Sequence, residues 1–284
     1  MKTVSLVLGS GGARGYAHIG VIEEIEKEGF KISSVSGSSM GALIGGLYAC
    51  GKLDDYKKWV TTLKKIDVLK LLDITFSGTG FIKGERVFKN LDELFGDIKI
   101  EDLPIKFTAV ATDITTKKEV WFQKGSLADA IRASISIPTI FTPKKINGHY
   151  FVDGGVINPL PVAPTLSDMT DFTVSVNLNA DIPNIYGDIR KDNGNNSSMF
   201  SYFNKKVKND NEKREKLSYF KIMQTSINIM QTSLSRYKNA EYSPDVMINI
   251  PLDICDFYEF YLASEVIEVG RKATNKALSY KGML

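Results

Sequence analysis

An α/β fold built on a parallel sheet is what this 284-residue chain predicts. Two strand–turn–helix units near its start carry that expectation. The first sets the apolar run Thr-Val-Ser-Leu-Val-Leu (3–8) directly before Gly9-Ser10-Gly11-Gly12-Ala13-Arg14-Gly15. The second sets a short strand at 33–36 before Gly37-Ser38-Ser39-Met40-Gly41. Each turn opens a stretch with helical spacing, and this repeat is the grammar of a parallel sheet covered by helices.

The helix expected over 15–28 carries Ile19, Ile22 and Ile25 on one face and Glu23 and Glu26 on another, and Gly29 stops it. Residues 40–49 form a helix rich in small residues. Residues 54–72 read as one amphipathic helix, with Tyr56, Trp59, Val60, Leu63 and Ile66 at helical spacing and lysines opposite. A glycine-containing loop at 73–83 and a helix at 84–95 follow. Strands are expected at 106–113 and 119–123, then a short helix at 127–134 broken by Pro138. Asn147-Gly148-His149-Tyr150 reads as a hairpin turn, and the strand at 150–152 leads into Asp153-Gly154-Gly155. A buried strand covers 172–177. Residues 184–216, rich in Asn, Asp, Lys and Ser, are expected to be a mobile polar insertion. A helix at 217–237, with 222–230 read as core, a strand at 245–250 and a closing helix at 262–278 complete one domain over 1–284.

Hydrophobic content of 43% and charged content of 24% fit a soluble globular protein. Cys50 and Cys255 lie far apart without metal-ligand spacing, so they read as core residues in a reducing compartment. The opening apolar run is too short for a signal peptide, and no stretch reaches the roughly 18 apolar residues of a membrane span. The expected location is therefore the cytoplasm. Peripheral membrane contact through 54–72 stands against simple packing of that helix on the core. The net charge is +3, and residues 188–216 alone hold eight Lys/Arg against five Asp/Glu. So mild and local a surplus gives no reason to expect nucleic-acid binding.

A serine hydroxyl attacks well only when it is exposed, oriented and beside a base. Gly37 and Gly41 flank Ser39 in the G-x-S-x-G spacing of a nucleophile elbow, where crowded backbones demand small residues. The helix that follows turns its partly positive N-terminus toward Ser39. The same five residues would also serve as an ordinary strand–helix turn. Gly11, Gly12 and Ala13 can offer backbone N–H groups to an oxyanion, each worth about 3 kcal/mol, and Arg14 can add charge or brace the loop. A dinucleotide fingerprint would need glycine where Arg14 stands and an acidic residue after the second strand, and the P-loop pattern is absent. The chain has two histidines. Neither follows Asp153, so the order Ser–acid–His cannot be built. His18 reads as a packing residue. His149, in its turn, is the rival to Asp153 for the role of base. A carboxylate of pKa about 3.9 is a weak base at neutral pH, and partial burial of Asp153 would strengthen it.

The stretches GSGGARGYAHIGV (9–21), GSSMG (37–41), RASISIPTIF (132–141) and DGGVINPLP (153–161) resemble, in order, the patatin-like phospholipases, bacterial members in particular. The resemblance implies a three-layer α/β/α sandwich around a mostly parallel sheet. It implies Ser39 as nucleophile, Asp153 as its partner in a dyad, and an oxyanion hole at Gly11–Arg14. It also implies acyl hydrolysis of phospholipids or other acyl esters without a metal or cofactor. Ser10 departs from the family loop, which usually has glycine there. Little after residue 184 matches except the closing helix. A soluble short-chain ester or thioester hydrolase and a non-catalytic lipid-binding protein remain as alternatives.

Overall fold

The apolar runs that predict strands lie buried in a computed structural model of the chain, which describes residues 1–71, 85–138, 140–190 and 219–283. The strands are β1 (Thr3–Leu8), β2 (Lys31–Ser38), β3 (Lys106–Asp113), β4 (Lys118–Phe122), β5 (Lys144–Ile146), β6 (His149–Asp153), β7 (Phe172–Ala180) and β8 (Val246–Pro251). They form one sheet in the order β5-β6-β3-β2-β1-β7-β8, with β4 attached to β3. β1, β2, β3, β7 and β8 pair parallel, whereas β4 and β6 pair antiparallel with β3, and β5 antiparallel with β6. The helices are α1 (Ala17–Lys27), α2 (Met40–Ala49), α3 (Leu53–Val60), α4 (Lys65–Leu71), α5 (Glu85–Phe95), α6 (Leu127–Ser134), α7 (Tyr219–Glu241) and α8 (Ala263–Tyr280).

The period-2 alternation of strands sorts the core into two faces. Leu6, Leu8, Val174, Val176 and Ile248 pack with Ile19 of α1, Leu47 of α2 and Val266 of α8. Val7 and Met247 turn to the opposite face, where Leu160, Val162 and Tyr242, just beyond α7, cover them. The result is a mostly parallel sheet flanked by helices. α1 and α8 meet backbone to backbone: a Cβ on Gly20 would lie 2.0 Å from the Ile267 carbonyl oxygen, and one on Gly270 would lie 2.1 Å from that of Ala17.

The structure departs from the sequence reading at several points. The helix expected over 54–72 is broken into α3 and α4. Thr61 Oγ1 donates back to the Lys57 and Lys58 carbonyls and Thr62 Oγ1 to that of Trp59, while the Asp67 carboxylate accepts from Lys64 N–H and opens α4. Such side-chain bonds compete with the helical ladder. α3 buries Leu53, Tyr56 and Val60 against the core, and Lys57 is paired with Glu23. The 222–230 stretch read as core is largely surface: Ile222, Ile229 and Met230 are exposed. The turn at 147–148 joins β5 to β6, with Asn147 and Gly148 both at positive φ (49° and 84°), as a two-residue hairpin requires. The expected loop at 73–83 and the part of the polar segment from 191 onward lie outside the described residues, while 184–190 carry neither helix nor strand. Among the described residues, no helix is long and apolar enough to cross a membrane.

Candidate active site

Strand β3 determines where Ser39 and Asp153 stand. Along one edge it pairs with β4 over Ala109–Asp113. Its other edge is shared: β2 pairs with Lys106–Val110 and β6 with Ala111–Asp113. β2 and β6 thus run toward each other along the same edge and end head to head. Ser38 lies opposite Val110 and Asp153 opposite Ala111, one step further along β3. Ser39 is the first residue past the end of β2. Its backbone sits at φ 55°, ψ −123°, a conformation that costs a non-glycine residue about 1–3 kcal/mol. The surroundings hold it there. Ser39 N–H donates to Ser134 Oγ (2.9 Å), and the Ser134 hydroxyl donates to the Val110 carbonyl (2.6 Å). A Cβ at Gly41 would lie 1.9 Å from the Leu8 carbonyl oxygen, so the elbow presses on the end of β1 and accepts no side chain at that position.

The Ser39 hydroxyl donates to Asp153 Oδ2 at 2.5 Å. Both residues are almost wholly buried, at 2% and 3% exposure. Asp153 Oδ1 accepts from Gly155 N–H (2.7 Å), and Asp153 N–H bonds the Ser136 carbonyl (2.9 Å). Burial pushes the Asp153 carboxyl up to about 7, against the opposing pull of the hydrogen bonds from Ser39 and Gly155. So placed, the carboxyl gains and loses its proton near neutral pH, and its ionised form is a stronger base than a free aspartate.

The glycine-rich turn after β1 is tied down from several sides. Gly9 N–H bonds the Val176 carbonyl (3.1 Å), Ser10 N–H that of Pro159 (2.8 Å), and Ala13 N–H that of Phe257 (3.0 Å). Asn179 Nδ2 donates to the Ser10 carbonyl (2.8 Å). Arg14 is buried, and its guanidinium donates to the carbonyls of Leu178 and Leu252 and to Asn179 Oδ1. Arg14 therefore braces the loop, and the Ala13 N–H is already engaged. Among the described residues, the N–H groups of Gly11 and Gly12 have no acceptor.

Ser39 borders two cavities. One, of about 350 Å³, is lined chiefly by apolar side chains, among them Leu43, Trp59, Leu91, Ile140, Phe141 and Phe257, and Gly12 also borders it. The other, of about 220 Å³, is bordered by Ser10, Asp153, Gly155 and residues of α7.

A family model described as patatin-like phospholipase matches residues 6–166. The chain belongs to the patatin-like phospholipase family. An uncharacterised NTE family protein of Mycobacterium tuberculosis is 35% identical over 327 aligned residues, covering 97% of this chain and 91% of that protein. The neuropathy target esterase sws of Drosophila persimilis is 38% identical over 169 residues, covering 56% of this chain and 12% of that protein. The crystal structure of VipD from Legionella pneumophila superposes with a TM-score of 0.49 at 15% identity, covering 99% of this chain and 67% of that one. Family membership supports lipid acyl hydrolysis as the general activity.

Both histidines are engaged away from Ser39. His18 Nε2–H donates to the Gly9 carbonyl (2.8 Å), and burial lowers its pKa to about 4, so it is neutral at pH 7 and braces the end of β1. His149 Nδ1 bonds Asp113 Oδ2 (2.8 Å), beyond Asp153 on β6. Three polar residues at the site escaped the reading of the sequence. Ser134 lay inside a matching stretch but carried no local sign that it would hold the elbow. Gln231 and Asn228 lie on α7, far from any motif, and Gln231 reaches both Ser10 and the Gly155 turn.

Proposed function

We propose that the chain is a serine lipid acyl hydrolase with Ser39 as nucleophile, Asp153 as general base, and the N–H groups of Gly11 and Gly12 as oxyanion donors. The observation that carries this reading is the 2.5 Å hydrogen bond from Ser39 to a buried carboxylate, beside an apolar cavity of about 350 Å³. The Asp153 carboxylate takes the hydroxyl proton as Ser39 Oγ attacks the ester carbonyl carbon. Negative charge then gathers on the former carbonyl oxygen, where preorganised donors contribute most. The C–O bond to the alcohol breaks, and Asp153 returns the proton to the departing oxygen. Water repeats the sequence on the acyl-enzyme: Asp153 accepts its proton, and Ser39 recovers one as the fatty acid leaves.

The apolar lining favours a long acyl chain over the short-chain ester of the alternative reading. The non-catalytic alternative makes a separate prediction: Ser39 should be inert toward a fluorophosphonate. On the reading favoured here, the probe adds to wild type at Ser39, located by mass spectrometry of the peptide. Labelling that is absent, or that falls on another serine, would defeat the assignment.

Substrate entry at a lipid surface is part of the proposal. Trp59 (38% exposed) lines the larger cavity and Met230 (56% exposed) the smaller, so each stands at an opening. Apolar groups at such openings suit contact with a bilayer better than contact with water. Replacing both by Glu should weaken co-sedimentation with phospholipid vesicles, and unchanged co-sedimentation would remove this part of the account.

A further inference from the structure

The smaller cavity has a chemistry that the acyl chain does not need. Its wall on α7 includes Gln231, which is 6% exposed. Gln231 Nε2 donates to Ser10 Oγ (3.3 Å) and to the Gly155 carbonyl oxygen (3.4 Å). A carbonyl can only accept, so the nitrogen must face Gly155, which fixes Oε1 as the remaining acceptor. Among the described residues that Oε1 has no donor, and the buried Oδ1 of Asn228, one helical turn away on the same wall, has none either. Two buried acceptors without donors point to a partner that arrives with its own. Asp153 and Ser39 border this cavity, and among the described residues lining it none is Lys or Arg. A phosphate would find no counter-charge among these residues.

We propose that the smaller cavity receives the alcohol half of the ester, and that this alcohol is uncharged and carries a free hydroxyl, as glycerol does. A glycerol monoester has two free hydroxyls, one to donate to Gln231 Oε1 and one to Asn228 Oδ1, while the acyl chain occupies the apolar cavity and the ester carbonyl sits at Ser39. The proposal rests on Ser39 being the attacking group. Gln231 and Asn228 are then specificity-determining residues, and Gln231 also positions the loop bearing Ser10.

The test compares kcat/KM for the 1-acylglycerol and for the propyl ester of one long-chain fatty acid, in the same detergent micelles. Wild type should favour the glycerol ester by about tenfold, since a hydrogen bond to an otherwise unpaired buried acceptor is worth that order. Gln231→Leu and Asn228→Leu should each shrink the ratio by about three- to tenfold. The ratio is the readout because any loss from a loosened loop falls on both esters and cancels. Asn228→Asp keeps an acceptor oxygen and should retain the preference. Adding a phosphate to the glycerol should slow cleavage. A wild type without preference, variants that lower both esters equally, or faster cleavage of the phosphate-bearing ester would each overturn the proposal. Wild type that cleaves none of these esters, with Ser39 unlabelled by fluorophosphonate, would overturn the hydrolase reading and the subsite with it.

Discussion

Replacing Ser39 by alanine should reduce fatty-acid release from long-chain acylglycerols or phospholipids by on the order of 10⁴-fold or more, the scale typical of losing a serine nucleophile. Neither Ser38 nor Ser134 can substitute. The Ser38 side chain sits one residue earlier, beside Gly154, and Ser134 is committed to the elbow. The fold should be retained, because the bonds that hold the elbow run through the Ser39 backbone N–H rather than its hydroxyl. Release measured by titration of liberated acid, with thermal unfolding in parallel, separates loss of chemistry from loss of structure. Ser39→Ala turning over at a wild-type rate would defeat the mechanism.

Asp153→Asn should abolish turnover comparably and at the same time stabilise the fold at alkaline pH. The folded-state pKa of Asp153 is raised from its ordinary 3.8 to about 7. The folded protein therefore holds this proton more tightly than the unfolded chain. The stabilising effect of that proton is fully present below about pH 4 and is lost as pH rises through 7. Above pH 7 the wild type carries a buried charge that the amide does not, a difference of up to about 4 kcal/mol in favour of the variant. His18 works in the opposite sense. Its folded pKa is lowered from 6.5 to about 4, so stability falls as pH drops from 6.5 to 4, by up to about 3 kcal/mol. In wild type the two slopes nearly cancel across that window, and Asp153→Asn should uncover the His18 slope. Urea denaturation at pH 4.5, 6.5 and 8.5 reads both effects. Equal stability of the two proteins at pH 8.5 would mean that Asp153 is not held at a raised pKa. The activity of wild type should follow the same ionisation, with kcat/KM rising through about pH 7 as the base loses its proton.

The parts of this structure written in local chemistry were legible. The runs at 3–8, 106–113 and 172–177 became central strands because their aliphatic and aromatic residues, with small Ser, Thr and Ala between them, suit strands buried on both faces. The glycines around Ser39 announced a crowded turn. Most of what the sequence did not reveal depends on partners distant in the chain. The break between α3 and α4 comes from Thr61 and Thr62 bonding backward, a local competition that the apolar spacing of Leu63 and Ile66 concealed. The Ile222–Met230 stretch has a core-like composition but faces outward beside a cavity, which hydropathy alone cannot distinguish from burial. Ala13 looked equivalent to its glycine neighbours as an N–H donor. It differs only because the Phe257 carbonyl, more than 240 residues later, comes to meet it. Gln231 and Asn228 carried no signal at all, since their meaning depends on the atoms they face rather than on the helix that bears them.

The most direct measurement is kcat/KM on one long-chain ester for Asp153→Asn and His149→Ala side by side. The account predicts that Asp153→Asn loses nearly all activity, while His149→Ala, whose imidazole is bonded to Asp113, retains most of it. Loss of activity in His149→Ala comparable to that in Asp153→Asn would contradict the Ser39–Asp153 dyad and make an imidazole the base.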